Sequence, residues 1–158
     1  MGADFQWFSV RGVTEENRVH RVANAMPRFL ATIENLQREY EMATAQTDVV
    51  GFSQGAIMAL EASQQNHPPA HRIISLAGRF ASPPAHACGG LTAFHLIHGV
   101  NDPVIPVSYC VNAHSQLVAL GAQCTMDPIP SLAHGINATV ANKVVQHLAE
   151  APNPALPV

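Results

Sequence analysis

The sequence predicts an α/β fold: a parallel sheet flanked by helices. Two observations carry this. Short apolar runs alternate along the chain with segments of helical periodicity, the pattern of βαβ units. The runs also lack strict apolar–polar alternation, which suits strands covered on both faces.

The first segment is helical. Thr14 is an N-cap, and Glu15 and Glu16 put negative charge in the first turn, where the helix dipole favours it. Val19, Val22, Met26, Phe29, Ile33, Leu36 and Tyr40 then recur every three or four residues. Pro27 interrupts this stripe, so the expectation is a kink, or one helix ending near Met26 and another opening. A strand follows at about Thr47 to Phe52, then a helix from Gln54 to about Gln65. "RIISLAG" is the second strand, "RFASPPAHACGG" a long loop and "LTAFHLIHG" the third strand. After the turn "NDPVIP", Val107 to Leu120 is helical and closed by Gly121. "QCTMDPI" is the fourth strand, "PSLAHG" a loop, and Asn137 to about Ala149 the last helix. Residues 1–150 thus read as one α/β domain and residues 151–158 as a Pro-rich tail.

Bulk properties exclude several classes. A net charge of −3 with scattered Lys and Arg gives no nucleic-acid footprint. No run is long and apolar enough for a membrane span, and the start lacks the charged and apolar regions of a signal peptide. Cys88, Cys110 and Cys124 are an odd set without C-x-x-C spacing, which fits a reducing cytoplasm rather than a disulfide framework. None of the nine histidines forms an H-x-x-x-H pair on one helix beside an acid, so no metal is expected.

In open parallel sheets, functional loops gather at the C-terminal ends of the strands. Here the first strand ends at Ser53, the third at Asp102 and the fourth near His134, so a nucleophile, an acid and a base leave one edge. Gly51 and Gly55 flank Ser53 and give a sharp strand-to-helix turn the room it needs. The helix beginning at Gln54 aims its N-terminal amides at the site, with the Gln54 N–H as an oxyanion donor. The pentapeptide G-x-S-x-G alone arises by chance in roughly one chain in twenty of this length; the strand, the helix and the later acid and base give it weight. Each partner has an ordinary alternative. Asn-Asp-Pro is good turn chemistry for Asp102. Asp127, closer to His134 in sequence, is a rival acid but falls inside the fourth strand. His95 and His98 read as core or edge residues of the third strand.

"VVGFSQGAIMAL", "HLIHGVNDPVIP" and "LAHGI" resemble the phospholipase/carboxylesterase family of α/β-hydrolases, which includes the acyl-protein thioesterases. "QWFSVRGVTEENR" is similar to the segment between the fourth strand and the helix before the elbow in a bacterial serine-esterase branch, and the likeness runs from about Gln6 to Leu148. It implies Ser53 as nucleophile, Asp102 as orienting acid and His134 as general base, acting on a small acyl ester or thioester without metal or organic cofactor. Trp7 and Phe8 are implied as lining of the acyl pocket. The resemblance also implies that the first strands, and the loop giving the second oxyanion donor, would precede Trp7. The chain is therefore expected to be the C-terminal portion of the fold, truncated at its N-terminus. Its first strand would be an exposed apolar edge open to self-association. A missing oxyanion donor lowers kcat by about 10² to 10³, so the other function class is a non-catalytic or decayed hydrolase fragment.

Overall fold

The structure is a computed structural model and describes residues 6–151. The Pro-rich tail after Ala151 and the first five residues of the chain lie outside them. Four strands, β1 (Asp48–Phe52), β2 (Arg72–Leu76), β3 (Ala93–Gly99) and β4 (Cys124–Ile129), form one parallel sheet in the order β1-β2-β3-β4. They alternate with α1 (Glu15–Glu39), α2 (Gln54–Ala62), α3 (Val107–Ala119) and α4 (Ala138–Ala149).

Burial explains why the runs lack alternation. All of β2 is buried, and so is β3 after its first residue, because both faces of these central strands are covered. Ile73, Phe94 and Leu96 pack towards α1, α2 and α3 in the larger core. Ile74, Leu76 and Ile97 point the other way and meet Ile129 and Val140 in a second, smaller core under α4. The outer strands are only partly covered. β4 carries Pro128, which a ladder tolerates at an edge. β1 is the other edge, as expected, with Val50 43% and Phe52 38% exposed.

The first helix departs from one expectation. Pro27 does not split it: Glu15–Glu39 is one helix. Val22, Ala25, Met26 and Phe29 are buried around Pro27, and this packing holds together a helix that the ring alone would break. The cap is stronger than a lone threonine. Thr14 Oγ1 accepts from the Asn17 N–H at 3.2 Å, and Asn17 Oδ1 accepts from the Thr14 N–H at 2.9 Å. Only the middle of the apolar stripe is buried; Val19, Leu36 and Tyr40 remain exposed. The other helices end within a few residues of their expected limits, and Gly121 takes the left-handed φ of +87° that closes α3. No helix among the described residues is long and apolar enough to cross a membrane.

Phe94 is fully buried between the sheet and its helices. Phe94→Ala is expected to cost about 3–5 kcal/mol, whereas Val145→Ala on the exposed side of α4 leaves stability nearly unchanged. Urea-denaturation midpoints of the two variants measure the difference.

Candidate active site

The turn from β1 to α2 sets Ser53 in an unusual conformation, with φ 51° and ψ −113°. L-residues pay for a positive φ, so the surroundings must hold it there. The Ser53 N–H donates to the Leu76 carbonyl at 2.8 Å, fixing the turn to the end of β2. A Cβ at Gly51 would lie 2.5 Å from the Gly55 carbonyl oxygen and 2.6 Å from the Ala56 nitrogen, so the first turn of α2 fits only against a glycine. Gly55 differs from expectation: a Cβ there meets nothing within 4 Å. The second close approach comes instead from Gly78 after β2, where a Cβ would sit 2.5 Å from Ala56 Cβ and Ser75 Oγ. α2 is thus gripped by glycines from two strands, and the elbow spacing reveals only one of them.

Asp102 follows β3 and its side chain is fully buried. Its two oxygens divide the labour. Oδ1 accepts from the Val104 and Ile105 N–H groups at 2.8 and 2.9 Å, while Oδ2 accepts from His134 Nδ1 at 2.8 Å. The turn reading and the acid reading of Asp102 are therefore compatible, one on each oxygen. Burial pushes the carboxyl pKa up, but the hydrogen bonds from His134, Ile105 and Val104 outweigh it and hold the group below its ordinary value of 3.8. His98 backs this arrangement. Its Nε2 donates to the Ile105 carbonyl at 2.7 Å and lies 3.4 Å from Asp102 Oδ2.

His134 completes the line. Its Nε2 is 2.9 Å from Ser53 Oγ, and its ring centroid is 5.1 Å from that of Phe52. The His134 loop is docked on the end of β3, where the Asn101 N–H donates to the Leu132 carbonyl at 2.9 Å. A Cβ on Gly99 would collide with the Leu132 and Ala133 carbonyls, so this glycine lets the loop approach. His98 and Gly99, both outside the sequence-derived site, thus brace its acid and its base. Their signal was their place at the end of β3, immediately before Asp102. The rival acid Asp127 is turned away: it accepts from His147 Nε2 at 2.8 Å and Lys143 Nζ at 2.9 Å.

In front of Ser53 lies a cavity of about 310 Å³ lined in part by Phe8, Val13, Ile57, Val104 and Ile105. Arg79 also reaches it. Its guanidinium forks onto Glu15 at 2.8 and 2.7 Å and lies 3.7 Å from the Tyr109 ring centroid. The Arg79 hydrogen bonds hold the Glu15 carboxyl below its ordinary range. Of the two aromatics expected at the pocket, Phe8 lines the cavity, but Trp7 does not. Trp7 packs edge-on against Phe29 at 4.8 Å, with the Arg28 guanidinium over its ring. Gln54 ties this segment down: Oε1 accepts from the Trp7 N–H and Nε2 donates to the Phe8 carbonyl, both at 2.7 Å. No acceptor among the described residues takes the Gln54 backbone N–H, which stands at the N-terminus of α2 beside Ser53.

A family model described as Phospholipase/Carboxylesterase matches residues 1–151, and the chain belongs to that family. Esterase YpfH of Escherichia coli K12 is 41% identical over 143 residues, which cover 90% of this chain and 61% of that protein. The chain thus spans less than two-thirds of the length of this relative. Among solved structures, esterase PE8 is 25% identical with a TM-score of 0.79, covering 91% of this chain and 69% of PE8. A carboxylesterase from Mesorhizobium loti also gives 0.79 at 18% identity, over 96% of this chain and 72% of that one, a likeness of fold. The architecture is that of the α/β-hydrolases.

The lowered Asp102 pKa links the site to stability. The ionised carboxylate is favoured in the folded chain, so its contribution is complete above the unfolded value and lost as pH falls through the folded one. Asp102→Asn is expected to flatten the fall of the urea midpoint on acidification below about pH 4. Part of that slope remains, because His147 and Lys143 hold Asp127 low against the upward push of burial.

Proposed function

We propose that the chain is a serine carboxylesterase or thioesterase working through Ser53, His134 and Asp102. The observation that carries this reading is the single imidazole bridging the Asp102 carboxylate at 2.8 Å and the Ser53 hydroxyl at 2.9 Å. Asp102 holds the Nδ1–H tautomer, which leaves the Nε2 lone pair facing Ser53 Oγ. Ser53 Oγ attacks the acyl carbon as His134 Nε2 takes its proton. The carbonyl oxygen becomes an oxyanion beside the Gln54 N–H at the positive end of α2. Collapse expels the alcohol or thiol, which takes the proton from Nε2 and leaves an ester on Ser53. Water, deprotonated by the same nitrogen, attacks this ester; its proton returns to Ser53 Oγ as the acid leaves.

The cavity of about 310 Å³, with Val13, Ile57, Val104 and Ile105 beside the Glu15–Arg79 pair, suits a small acyl group. The three free cysteines, two of them buried, suit a cytoplasmic protein. The family match and the 41% identity to an esterase support the reaction class.

A second reading is favoured by the bare edge of β1, where Val50 and Phe52 are exposed. In it the chain is a catalytically silent homologue that self-associates through that strand.

The two separate in a hydrolysis assay with short-chain p-nitrophenyl esters, run on the 158-residue chain and on a chimera preceded by the N-terminal segment of YpfH. The proposal expects turnover in the chimera, weaker turnover in the chain alone, and a fall of about 10⁴-fold or more in both on Ser53→Ala. Full activity in Ser53→Ala would sink the assignment. A well-folded chimera without turnover, joined to a chain that sediments as a dimer, favours the silent reading.

A further inference from the structure

The cavity in front of Ser53 carries charge that the hydrolysis of a neutral ester does not use. Ser53 and Arg79 line this one cavity, together with Arg18 and Glu15. Arg79 is buried and held on several sides. Its side chain is 8% exposed, its Nε–H donates to the Phe80 carbonyl at 3.1 Å, and its guanidinium lies over the Tyr109 ring. A buried guanidinium is costly without an anion to answer it. Here the anion is Glu15, in the first turn of α1, whose side chain is 62% exposed. The cation is held firmly and its partner loosely.

Arg18 adds a second guanidinium. Its Nη2 donates to Glu15 Oε1 at 3.1 Å, the oxygen that also accepts from Arg79 Nη1, so one carboxylate serves two cations. Arg18 Nε is buried without a hydrogen-bond partner among the described residues. Buried donors are normally answered, so Arg18 has bonding capacity that Glu15 does not meet. Glu61, the other carboxylate that the Arg79 charge reaches, accepts from the Ala81 and Ser82 amides and does not line the cavity. The charged side chains that do line it are thus two cations and one anion.

We propose that Arg79 and Arg18 bind a carboxylate on the substrate, so that the preferred substrates are monoesters of short dicarboxylic acids. This substrate class rests on the esterase reading above. The fork that Arg79 now presents to Glu15 is the geometry in which a guanidinium takes a carboxylate through two hydrogen bonds. The carboxylate of the substrate takes that place while Glu15 turns out into water. Val13, Ile57, Val104 and Ile105 give the intervening methylenes an apolar wall, and a cavity of about 310 Å³ suits a short chain. In the free protein Glu15 answers the Arg79 charge and keeps the guanidinium in position.

The test titrates the isotope-labelled 158-residue chain, carrying Ser53→Ala, with monomethyl glutarate and with the uncharged amide of the same ester, methyl glutaramate. Backbone amide shifts around Glu15 and Gln54 report binding. The carboxylate ligand is expected to bind at least about tenfold more tightly, as a charge-assisted pair of hydrogen bonds requires. Arg79→Lys keeps the charge and loses the fork; Arg18→Gln lies at a partly exposed position. Each is expected to shrink that preference to about threefold or less without weakening the amide. Glu15→Gln is expected to do the opposite and raise carboxylate affinity by about threefold or more, because the competing charge is gone. A purely structural role for the Glu15–Arg79 pair would lower it. Equal affinity for the two ligands, binding of neither by the folded chain, or weaker carboxylate binding in Glu15→Gln overturns the proposal. Ser53→Ala removes the nucleophile and keeps the cavity, so binding is read apart from chemistry. Carboxylate preference in a chain and chimera that hydrolyse no ester leaves the anion site standing and sinks the esterase reading. Turnover of neutral esters without the preference does the reverse.

Discussion

The buried carboxylate of Asp102 is the constraint on which the rest of the site depends. A charge with no exposure of its own is costly unless every lone pair is answered. The turn after β3 answers half of it with the Val104 and Ile105 amides, and His134 answers the other half. One group therefore shapes the turn and orients the imidazole. His98, one helical turn's distance back in sequence but on the strand below, holds the Ile105 carbonyl so that the turn cannot open. The imidazole's free face then falls on Ser53 Oγ, because Gly99 lets the His134 loop settle on β3 and the Leu76 carbonyl fixes the elbow.

The two ends of the sheet carry different side-chain networks. At the C-terminal ends of β1, β3 and β4 stand the serine, the acid and the base, where loops are free to vary around a rigid frame. At the other end, Arg72 of β2, His95 of β3 and Asp127 of β4 meet the end of α4 in a network with His147 and Glu150. The second core, with Ile74, Ile97 and Val140 buried in it, seats α4 across the sheet. That helix belongs structurally to both ends: its N-cap Asn137 follows the His134 loop, and its C-terminus carries His147.

Much of this was legible in the sequence because local chemistry and topology agree. The alternation of elements, the Thr14 cap, Gly121 and the Ser–Asp–His order were all readable, and the structure brings those three side chains together. What escaped notice depends on contacts between distant segments. Nothing local says that the second close approach at the elbow is made at Gly78 and not at Gly55, or that Trp7 turns to Phe29 while Phe8 faces the cavity. Pro27 reads as a kink or a helix end, and the split between two helices is excluded only when Met26 and Phe29 are seen packed around it. Arg79 gave no signal at all, since its partners Glu15 and Tyr109 lie far away on either side in sequence.

The proposed reaction turns on the activation of Ser53 by His134, whose Nε2 lies 2.9 Å from Ser53 Oγ. Its most direct test is to treat the 158-residue chain with a fluorophosphonate probe and locate the adduct by peptide mass. Labelling needs the nucleophile and its base but not a complete catalytic cycle, so it examines these two residues alone. One adduct is expected, on Ser53, and it disappears in His134→Ala while the chain remains folded. An adduct on another residue, or labelling of Ser53 that proceeds equally fast without His134, would contradict it.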